Sequence, residues 1–330
     1  MTKVLHSIDE LKSELGSNEQ LVVSVGFFDG VHKGHQSLIK TLLQEAEKGN
    51  KRSVIITMDE HPSRVLGGDG GQVPLLTSQA ERLRLLRAAG ADFLLVLTFD
   101  RALSEMSAEQ FLQPLIELGL NELVLGYDNR FGHNSQRLSQ EEFDTQIRAM
   151  GLTLRRVKPF VIDGEVTVSS SAIRTALAAG DFLAVERLLG RPYSLEGEVA
   201  KGRQIGRSIG YPTANLFLDD AEVLLPKTGV YIAEVMYGGE QYKAMGYLGS
   251  SPTVTGSMQG EQRFEAFLLD FKGDIYGEEI EVYLRLYLRG DIRFGTLEEL
   301  KQQLTQDEVR TRNFFKQQGL SDTNRTKLWN

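Results

Sequence analysis

The chain of 330 residues contains no cysteine. Disulfide bonds, thiolate catalysis and cysteine-ligated zinc or iron–sulfur sites are therefore excluded. No segment approaches the run of roughly 18 apolar residues that a membrane-spanning helix needs. Residues 1–6 also lack the apolar core of a signal peptide. We therefore expect a cytoplasmic protein without a membrane partner.

Long basic runs are missing as well. The formal net charge is −8 and the pI is about 5.3. A surface of this kind attracts nucleic acid poorly, so any phosphate binding should be confined to local pockets. We expect small-molecule partners, no nucleic acid, and a monomer or a weak homo-oligomer. The length predicts about two domains.

The first half of the chain alternates short apolar strands with helical segments, which predicts parallel βαβ units and a doubly wound sheet. Ser78 and Ser107 fit helix caps, and Gly49, Gly90 and Gly119 fit helix ends. Ligands of such sheets bind at the carboxyl ends of the strands. The predicted strands are Leu21–Val25, Ser53–Met58, Asp92–Thr98, Glu122–Leu125 and Thr153–Val157, and the predicted helices cover residues 35–48, 78–89, 107–118 and 140–150.

The second half changes to short strands separated by glycine and proline, which predicts an antiparallel β-barrel. Helices are predicted only at its end, over residues 297–304 and 307–317, after a cap formed by Thr296 and Glu299. We place the two domains at residues 1–185 and 186–330. The predicted barrel strands are Gly197–Ala200, Ala214–Leu218, Val230–Met236, Gln241–Leu248, Phe264–Asp270 and Ile280–Leu288.

The most informative motif is His32-Lys33-Gly34-His35, which follows the first predicted strand and a glycine-bearing turn. A helix that begins near His35 would place both imidazoles beside unpaired backbone N–H groups and the positive end of the helix dipole. Such a site attracts phosphate, and two imidazoles can stabilise charge that develops on phosphoryl oxygens. The alternative is two surface histidines on a helix cap, which the preceding strand and glycines disfavour.

Three other segments of the first half carry polar residues. Ser169 and Ser170 precede an apolar helix that contains Arg174, so hydroxyls, N–H groups and a guanidinium could form a second anion site. An ordinary serine cap beside an exposed arginine is the alternative. Asp128 could contact a ribose or only stabilise a turn. His61 could likewise be only the exit of a strand.

The second half has its densest polar segment at residues 201–215. Gly202, Gly206 and Gly210 lie among cationic residues and would let backbone N–H groups approach phosphates closely. The Walker A pattern is absent. Thr213 and Asn215 offer neutral oxygens, which Mg²⁺ accepts as ligands. The alternative is a glycine-rich hairpin connection.

Glu265 lies on a predicted strand between two phenylalanines. A carboxylate in that position could be a general base with a raised pKa. The strand pattern alone favours an outward-facing glutamate instead. Arg289, just past the last predicted strand, is equally ambiguous.

In this order, the segments resemble the bacterial bifunctional riboflavin kinase/FMN adenylyltransferase family, also called FAD synthetase, over nearly the whole chain. The family's base-bearing strand matches at Glu265, and its arginine after the last strand matches at Arg289. The pattern G-x-F-D-G-x-H-x-G-H matches at Gly26, Phe28, Asp29, Gly30, His32, Gly34 and His35. The pattern S-S-T-x-I-R matches at Ser169, Ser170, Ile173 and Arg174, and G-x-P-T-A-N matches at Gly210, Pro212, Thr213, Ala214 and Asn215.

Some positions depart from the family pattern. Asn129 stands where an aromatic residue usually follows the aspartate, and Met58 and Glu60 interrupt the usual T-F-D-P-H-P segment. Ser171 replaces threonine in the serine–arginine motif. Tyr247 replaces the asparagine of the usual N-I-G segment of the kinase half.

The resemblance implies two reactions, with ATP, riboflavin, FMN and FAD as substrates or products. In the barrel, Glu265 would accept a proton from riboflavin while Mg²⁺ near Thr213 and Asn215 bridges the phosphates of ATP. In the α/β half, His32 and His35 would assist adenylylation of FMN. The serine–arginine motif would hold the departing pyrophosphate. The flavin would be bound or oriented by Asp128, His61 and Arg289.

Two alternatives stay open from the sequence. One is a different small-molecule adenylyltransferase with an unrelated barrel appended, against which the P-T-A-N segment argues. The other is a non-catalytic flavin or nucleotide sensor on the same scaffold. The retention of His32, His35, Thr213 and Glu265 disfavours the sensor.

Overall fold

The structure is a computed structural model that describes residues 2–65, 73–200, 205–218, 223–250 and 262–318. These residues form two compact units, one up to Ser170 and one from Ser171 onward. Within the described ranges, every helix is too short or too polar to cross a lipid bilayer.

The first unit contains a six-stranded parallel sheet with the strand order β1-β4-β3-β2-β5-β6. The strands are β1 Lys3–Leu5, β2 Leu21–Val25, β3 Arg52–Met58, β4 Phe93–Leu97, β5 Leu120–Gly126 and β6 Thr153–Val157. A small hairpin of β7 (Val161–Ile162) and β8 (Val166–Thr167) follows. The sheet confirms the predicted doubly wound fold, and β1 is an addition because three residues are too few to show a pattern.

The helices of the first unit begin at the residues that their caps specify. Ser107 and Ser139 both form complete capping boxes, in which side chain and backbone exchange hydrogen bonds. Asn50, not Gly49, adopts the left-handed conformation that ends α2. The helices are α1 Ile8–Glu14, α2 Lys33–Gly49, α3 Pro62–Val65, α4 Gln79–Ala88, α5 Arg101–Glu105, α6 Ala108–Glu117 and α7 Gln140–Ala149.

Strand β2 occupies the position in the sheet that determines where a ligand binds. It pairs with β3 on one side and β5 on the other, so the order of the strands reverses at this point. In open α/β sheets, ligands bind in the crevice outside the carboxyl ends of the strands at such a reversal. All five residues of β2 are buried, as expected for a strand covered on both faces.

Arg82 of α4 connects the ends of two central strands. Its side chain is fully buried. One guanidinium nitrogen donates to the Phe27 carbonyl, the Thr57 hydroxyl and the Met58 carbonyl, each at 2.9 Å, and the other donates to the Asp59 carbonyl at 3.2 Å. Burial lowers the pKa of Arg82 to about 10, so the side chain remains a cation at neutral pH.

The second unit is a closed antiparallel barrel with the order β10-β13-β12-β11-β14-β9, in which β9 pairs with β10. Along β9, buried residues alternate with more exposed ones, as they do when one face of a strand lines the barrel interior. The strands are β9 Tyr193–Ala200, β10 Ala214–Leu218, β11 Gly229–Tyr237, β12 Glu240–Ser250, β13 Gln262–Leu268 and β14 Glu279–Arg289.

The described helices of the chain from α8 onward are α8 Ser170–Ala179, α9 Phe182–Leu189, α10 Ile205–Ser208 and α11 Leu297–Gln317. The sequence predicts two helices at the end, but α11 is continuous. Thr305, between the two predicted segments, is no helix breaker, and its hydroxyl bonds to the Lys301 carbonyl one turn earlier at 2.9 Å. The Thr296–Glu299 capping box is present as predicted.

We predict that Arg82→Ala lowers the free energy of unfolding by about 3 kcal/mol or more, because buried carbonyl oxygens lose their donor. Urea denaturation followed by circular dichroism measures the loss. Arg101→Ala is the control, since Arg101 pairs with Glu105 at 2.9 Å while its side chain is 90% exposed. Such exposed pairs contribute little to stability. Equal stability of the two variants would contradict the structural role of Arg82.

Candidate functional sites

The turn between β2 and α2 sets the positions of the two histidines. Phe28 and Gly30 have φ values of 60° and 78°. His32 is the N-cap of α2, and its Nδ1 accepts a hydrogen bond from the His35 backbone N–H at 3.3 Å. The two imidazole rings are stacked with centroids 3.6 Å apart and planes 16° from parallel. The sequence therefore placed the pair correctly at a helix start.

Gly34 fits the close packing around this pair. A Cβ atom at residue 34 would lie 3.1 Å from the His32 ring and 3.4 Å from the Val168 carbonyl oxygen. Contacts of 3.1 Å are tighter than a side chain normally tolerates, so a larger residue would move the imidazole. At Gly26, a Cβ would meet the Phe28 ring at 3.1 Å. Both glycines thus leave room for a neighbouring ring.

His35 is a half-buried residue with an unpaired ring nitrogen. Its Nδ1 is buried and has no hydrogen-bond partner among the described residues. The Phe28 ring meets it edge-on at 5.3 Å. Burial, and then the nearby His32, lower the pKa of His35 well below its usual range. A neutral imidazole offers one donor and one acceptor, so this ring can bond to a ligand.

Asp29 fixes the same turn from inside the protein. It is buried, and its carboxylate accepts from the Leu76 backbone N–H at 2.8 Å. The Ser170 hydroxyl donates to the Asp29 carbonyl at 3.1 Å. Ser169 precedes α8, and Arg174 is half-buried on the second turn of that helix. Asp29 therefore supports the loop through contacts within the protein.

A cavity of about 380 Å³ opens at the carboxyl ends of β2 and β3; we call it the sheet-edge cavity. Its wall includes Gly26, Phe27, Asn129 and Arg130. The Asn129 amide donates to the carbonyl of Val25 at 2.6 Å. This contact joins the turn after β5 to the end of β2. The sequence singled out Asn129 only as a departure from the family pattern and missed Arg130.

Asp128 and His61 are not in the wall of the sheet-edge cavity. Asp128 is exposed beside Tyr127. His61 meets the Phe27 ring edge-on at 4.7 Å, and its Nδ1 shares a hydrogen bond with the Ser63 hydroxyl at 2.7 Å. His61 thus contacts a residue of the cavity wall, Phe27, without lining the cavity. Asp128 lies at the protein surface.

In the second unit, a cavity of about 340 Å³ collects the predicted residues of the barrel; we call it the barrel cavity. Thr213, Glu265 and Arg289 line it together with Tyr247. Glu265 on β13 lies directly opposite Tyr247 on β12 and Asn215 on β10. Residues directly opposite in antiparallel strands share one face, so these three side chains are neighbours.

Glu265 lies on the face of β13 opposite the buried Phe264 and Ala266, the outward face that the strand pattern alone favours, and this face lines the barrel cavity. Burial raises the pKa of Glu265, while a hydrogen bond from Thr213 and the charge of Arg263 oppose that rise. A half-buried carboxylate with a raised pKa binds a proton more readily than one in water. The position therefore suits a general base.

Thr213 also lines a smaller cavity of about 280 Å³, which we call the side cavity. Phe271, Lys272 and Tyr276 contribute to its wall. Since Thr213 belongs to both walls, the two cavities adjoin at this residue. Two aromatic side chains and a lysine are suitable contacts for a nucleobase and for a phosphate.

The glycine-rich segment is only partly described. Gly202 and the rest of residues 201–204 lie outside the described residues. Gly206 lines the barrel cavity, and a Cβ there would lie 2.2 Å from the Tyr211 carbonyl oxygen. Gly210 has a φ of 92°, a backbone conformation that residues with a side chain rarely adopt. These two glycines are therefore explained by backbone geometry.

The fold and these sites define a two-unit class of nucleotide-handling enzyme. An α/β unit carries a histidine pair at a helix start, and a β-barrel carries a carboxylate in a cavity. Family models agree with each half in turn. The model for FAD synthetase matches residues 15–172, and the model for riboflavin kinase matches residues 189–315.

Curated relatives match both halves at once. The chain is 34% identical over 319 residues to a bifunctional riboflavin kinase/FMN adenylyltransferase of Escherichia coli K12, covering 95% of this chain and 98% of that protein. It is 32% identical to one of Bacillus subtilis 168, covering 89% and 92%. The chain therefore belongs to the bifunctional riboflavin kinase/FMN adenylyltransferase family. A different adenylyltransferase with an unrelated barrel does not fit these matches.

A solved structure supports the fold over nearly the whole of this chain. It is described as a macrolide-efflux protein from Streptococcus pneumoniae, with a TM-score of 0.81 and 32% identity, and covers 94% of this chain and 99% of that one. The description belongs to that protein. Both family models and the curated relatives agree on a different activity, so it is not transferred here.

The lowered pKa of His35 predicts a loss of stability in acid. Above about pH 6.5, His35 is neutral in both the folded and the unfolded chain. Below that pH the unfolded chain takes up a proton that the folded protein refuses, so unfolding is favoured. The melting temperature of His35→Asn should therefore fall less than that of the parent as the pH drops from about 6.5 to about 5. His6→Asn, at an exposed position, should follow the parent. Identical curves for all three proteins would contradict the burial effect.

Proposed function

We propose that this chain makes FAD from riboflavin in two ATP-dependent steps. Residues 186–330 transfer the γ-phosphoryl group of ATP to the 5′-hydroxyl of riboflavin, which gives FMN. Residues 1–185 join the phosphate of FMN to the α-phosphorus of another ATP, which gives FAD and pyrophosphate. The observation that supports this most is that each half has its own polar site, His32 with His35 at a helix start and Glu265 in the barrel cavity.

Adenylyl transfer needs charge stabilisation more than a protein nucleophile. The phosphate of FMN is itself the nucleophile, so no side chain has to attack. His32, His35 and the N–H groups at the start of α2 would stabilise the charge that builds up on the α-phosphoryl oxygens. Ser169, Ser170 and Arg174 are assigned to the departing pyrophosphate because they form the family's motif at α8.

The flavin of this step is assigned to the sheet-edge cavity. Phe27 and Phe131 in its wall give apolar contact, and a few polar groups such as Asn129 give direction, as is typical of small-molecule sites. His61 would act by orienting Phe27. Asp128 precedes Asn129 in the same loop and is assigned to orienting a polar group of a substrate.

Phosphoryl transfer in the barrel depends mainly on positioning and on neutralising charge. Glu265 would accept the proton of the 5′-hydroxyl, and Arg289 would orient the flavin in the barrel cavity. We assign ATP to the side cavity, where Lys272 can bond to a phosphate. Thr213 then lies between donor and acceptor, since it lines both cavities.

Mg²⁺ belongs to this proposal as the ion that neutralises phosphate charge in the kinase step. The donor set is compatible with it: a Thr213 hydroxyl, an Asn215 amide oxygen and the Glu265 carboxylate are hard oxygen ligands. Asn215 is buried and lies opposite Glu265. Thr213 and Asn215 would hold the ion, and Glu265 would keep its role toward the hydroxyl proton.

We predict that His35→Ala reduces FAD formation by about 100-fold or more, because transition-state charge loses a preorganised partner. FMN formation by the same preparation should stay at the parent rate, since Glu265 and Thr213 are untouched. Chromatographic separation of riboflavin, FMN and FAD over time measures both steps. The matched control is His6→Ala, at an exposed position. Loss of both activities in His35→Ala would contradict separate sites.

We predict the reverse pattern for Glu265→Gln. Riboflavin phosphorylation should fall by about 10²- to 10⁴-fold, the usual contribution of a general base, while FMN is still adenylylated. In the parent, kcat/KM for phosphorylation should fall as the pH drops through the raised pKa of Glu265, because a base must be deprotonated. Glu240→Gln, an exposed carboxylate on β12, is the control. If Glu265→Gln produced FMN at the parent rate, Glu265 could not be the general base.

The sensor hypothesis is tested with the parent protein alone. Incubation with riboflavin, ATP and Mg²⁺ should yield FMN first and FAD later. Binding of flavin without either product would favour a sensor. Replacing riboflavin by FMN should yield FAD directly if the α/β half acts by itself.

A further inference from the structure

Two arginine–aspartate pairs connect α11 to the barrel. Arg289, at the end of β14, donates through Nε and Nη2 to Oδ2 of Asp307 at 2.9 and 2.7 Å. Arg312 of α11 donates through both Nη atoms to Asp270 at 2.8 Å. The surroundings of the two pairs differ. Asp307 is fully buried, whereas the Asp270 side chain is 76% exposed.

Both oxygens of the Asp307 carboxylate accept hydrogen bonds from protein groups. Oδ2 accepts from Arg289, and Oδ1 accepts from the Gln303 amide at 3.0 Å. On its other side, Arg289 donates through Nη1 to the carbonyl of Gly290 at 3.0 Å. Because the guanidinium is planar, contacts at both ends fix its orientation.

The helix that supplies Asp307 also forms a wall of the barrel cavity. Leu300 and Leu304 line that cavity, and Asp307 follows at the spacing i, i+4 and i+7 that one face of a helix gives. Arg289 lines the cavity as well. A second contact, from Tyr211 to Thr305 at 3.0 Å, holds the same part of α11 to the barrel. Asp307 thus contacts Arg289 in the cavity wall but does not line the cavity itself.

We propose that Asp307 is a positioning residue for riboflavin phosphorylation, which fixes the Arg289 guanidinium in the barrel cavity and thereby sets the affinity for the flavin. The inference depends on the proposed kinase function. Asp307 receives no proton and touches no substrate. Its contribution is to remove the rotamer freedom that a long arginine side chain otherwise loses on binding a ligand.

The first test compares Asp307→Asn with Asp270→Asn. Asp307→Asn should raise KM for riboflavin about tenfold, which corresponds to about 1.4 kcal/mol, and should change kcat and KM for ATP far less. Asp270→Asn removes a pair of the same kind on the same helix and should leave all three values unchanged. Asn tolerates the positive φ of 61° at residue 270. Circular dichroism and melting curves of each variant report whether the barrel is intact.

A double-mutant cycle separates positioning from helix packing. If Asp307 acts through Arg289, then Arg289→Ala should raise KM for riboflavin, and adding Asp307→Asn should raise it little further. Additive increases, or a riboflavin KM of Asp307→Asn equal to the parent value, would overturn the proposal. An equal effect of Asp270→Asn would also overturn it.

Gln303→Leu covers the case in which Asp307→Asn fails to fold. It removes only the contact to Oδ1, so the riboflavin KM should rise in the same direction by a smaller factor, while the melting temperature stays near the parent value. An unchanged KM in this folded variant would overturn the proposal. A parent protein that phosphorylates no riboflavin would instead refute the proposed function itself.

Discussion

Polar groups that are buried away from water need partners inside the protein, and this constraint shapes both units. Arg82 satisfies carbonyl oxygens at the ends of β2 and β3, so the strands can end together below the sheet-edge cavity. Asp29 accepts from the Leu76 backbone N–H of the neighbouring loop. In the barrel, Asp307 holds Arg289. In each unit these contacts hold residues beside the candidate site.

Buried groups that can still bond to a ligand are the ones that indicate the chemistry of each site. The Nδ1 atom of His35 is buried without a partner among the described residues, which is unusual for a native protein. Glu265 is half-buried with a raised pKa. Each candidate site therefore includes a group that can exchange a proton or a hydrogen bond with a ligand. They arise differently, the histidine from a helix start and the glutamate from its position between two cross-strand neighbours.

Local signals predicted the elements well where the pattern was long or capped. The strands from β2 to β6 and the barrel strands were located within a few residues, since burial on both faces or alternation marks them. Strand β1 has three residues and pairs with distant Phe93, so no local pattern identifies it. The interruption predicted before Asp307 is wrong, because nothing between the two segments breaks a helix. That the outward face of β13 lines a cavity depends on α11, whose Leu300 and Leu304 form another part of the wall.

The sequence by itself determined the two-part organisation, the histidine pair with its glycines, and the family to which the motifs point, because those features depend on residues close together in the chain. Only the tertiary structure decided that Tyr247 and Asn215 flank Glu265, that Thr213 borders two cavities, and that Asp307 holds Arg289. Strand register and helix docking create these contacts between residues far apart in sequence, and neither composition nor periodicity encodes them.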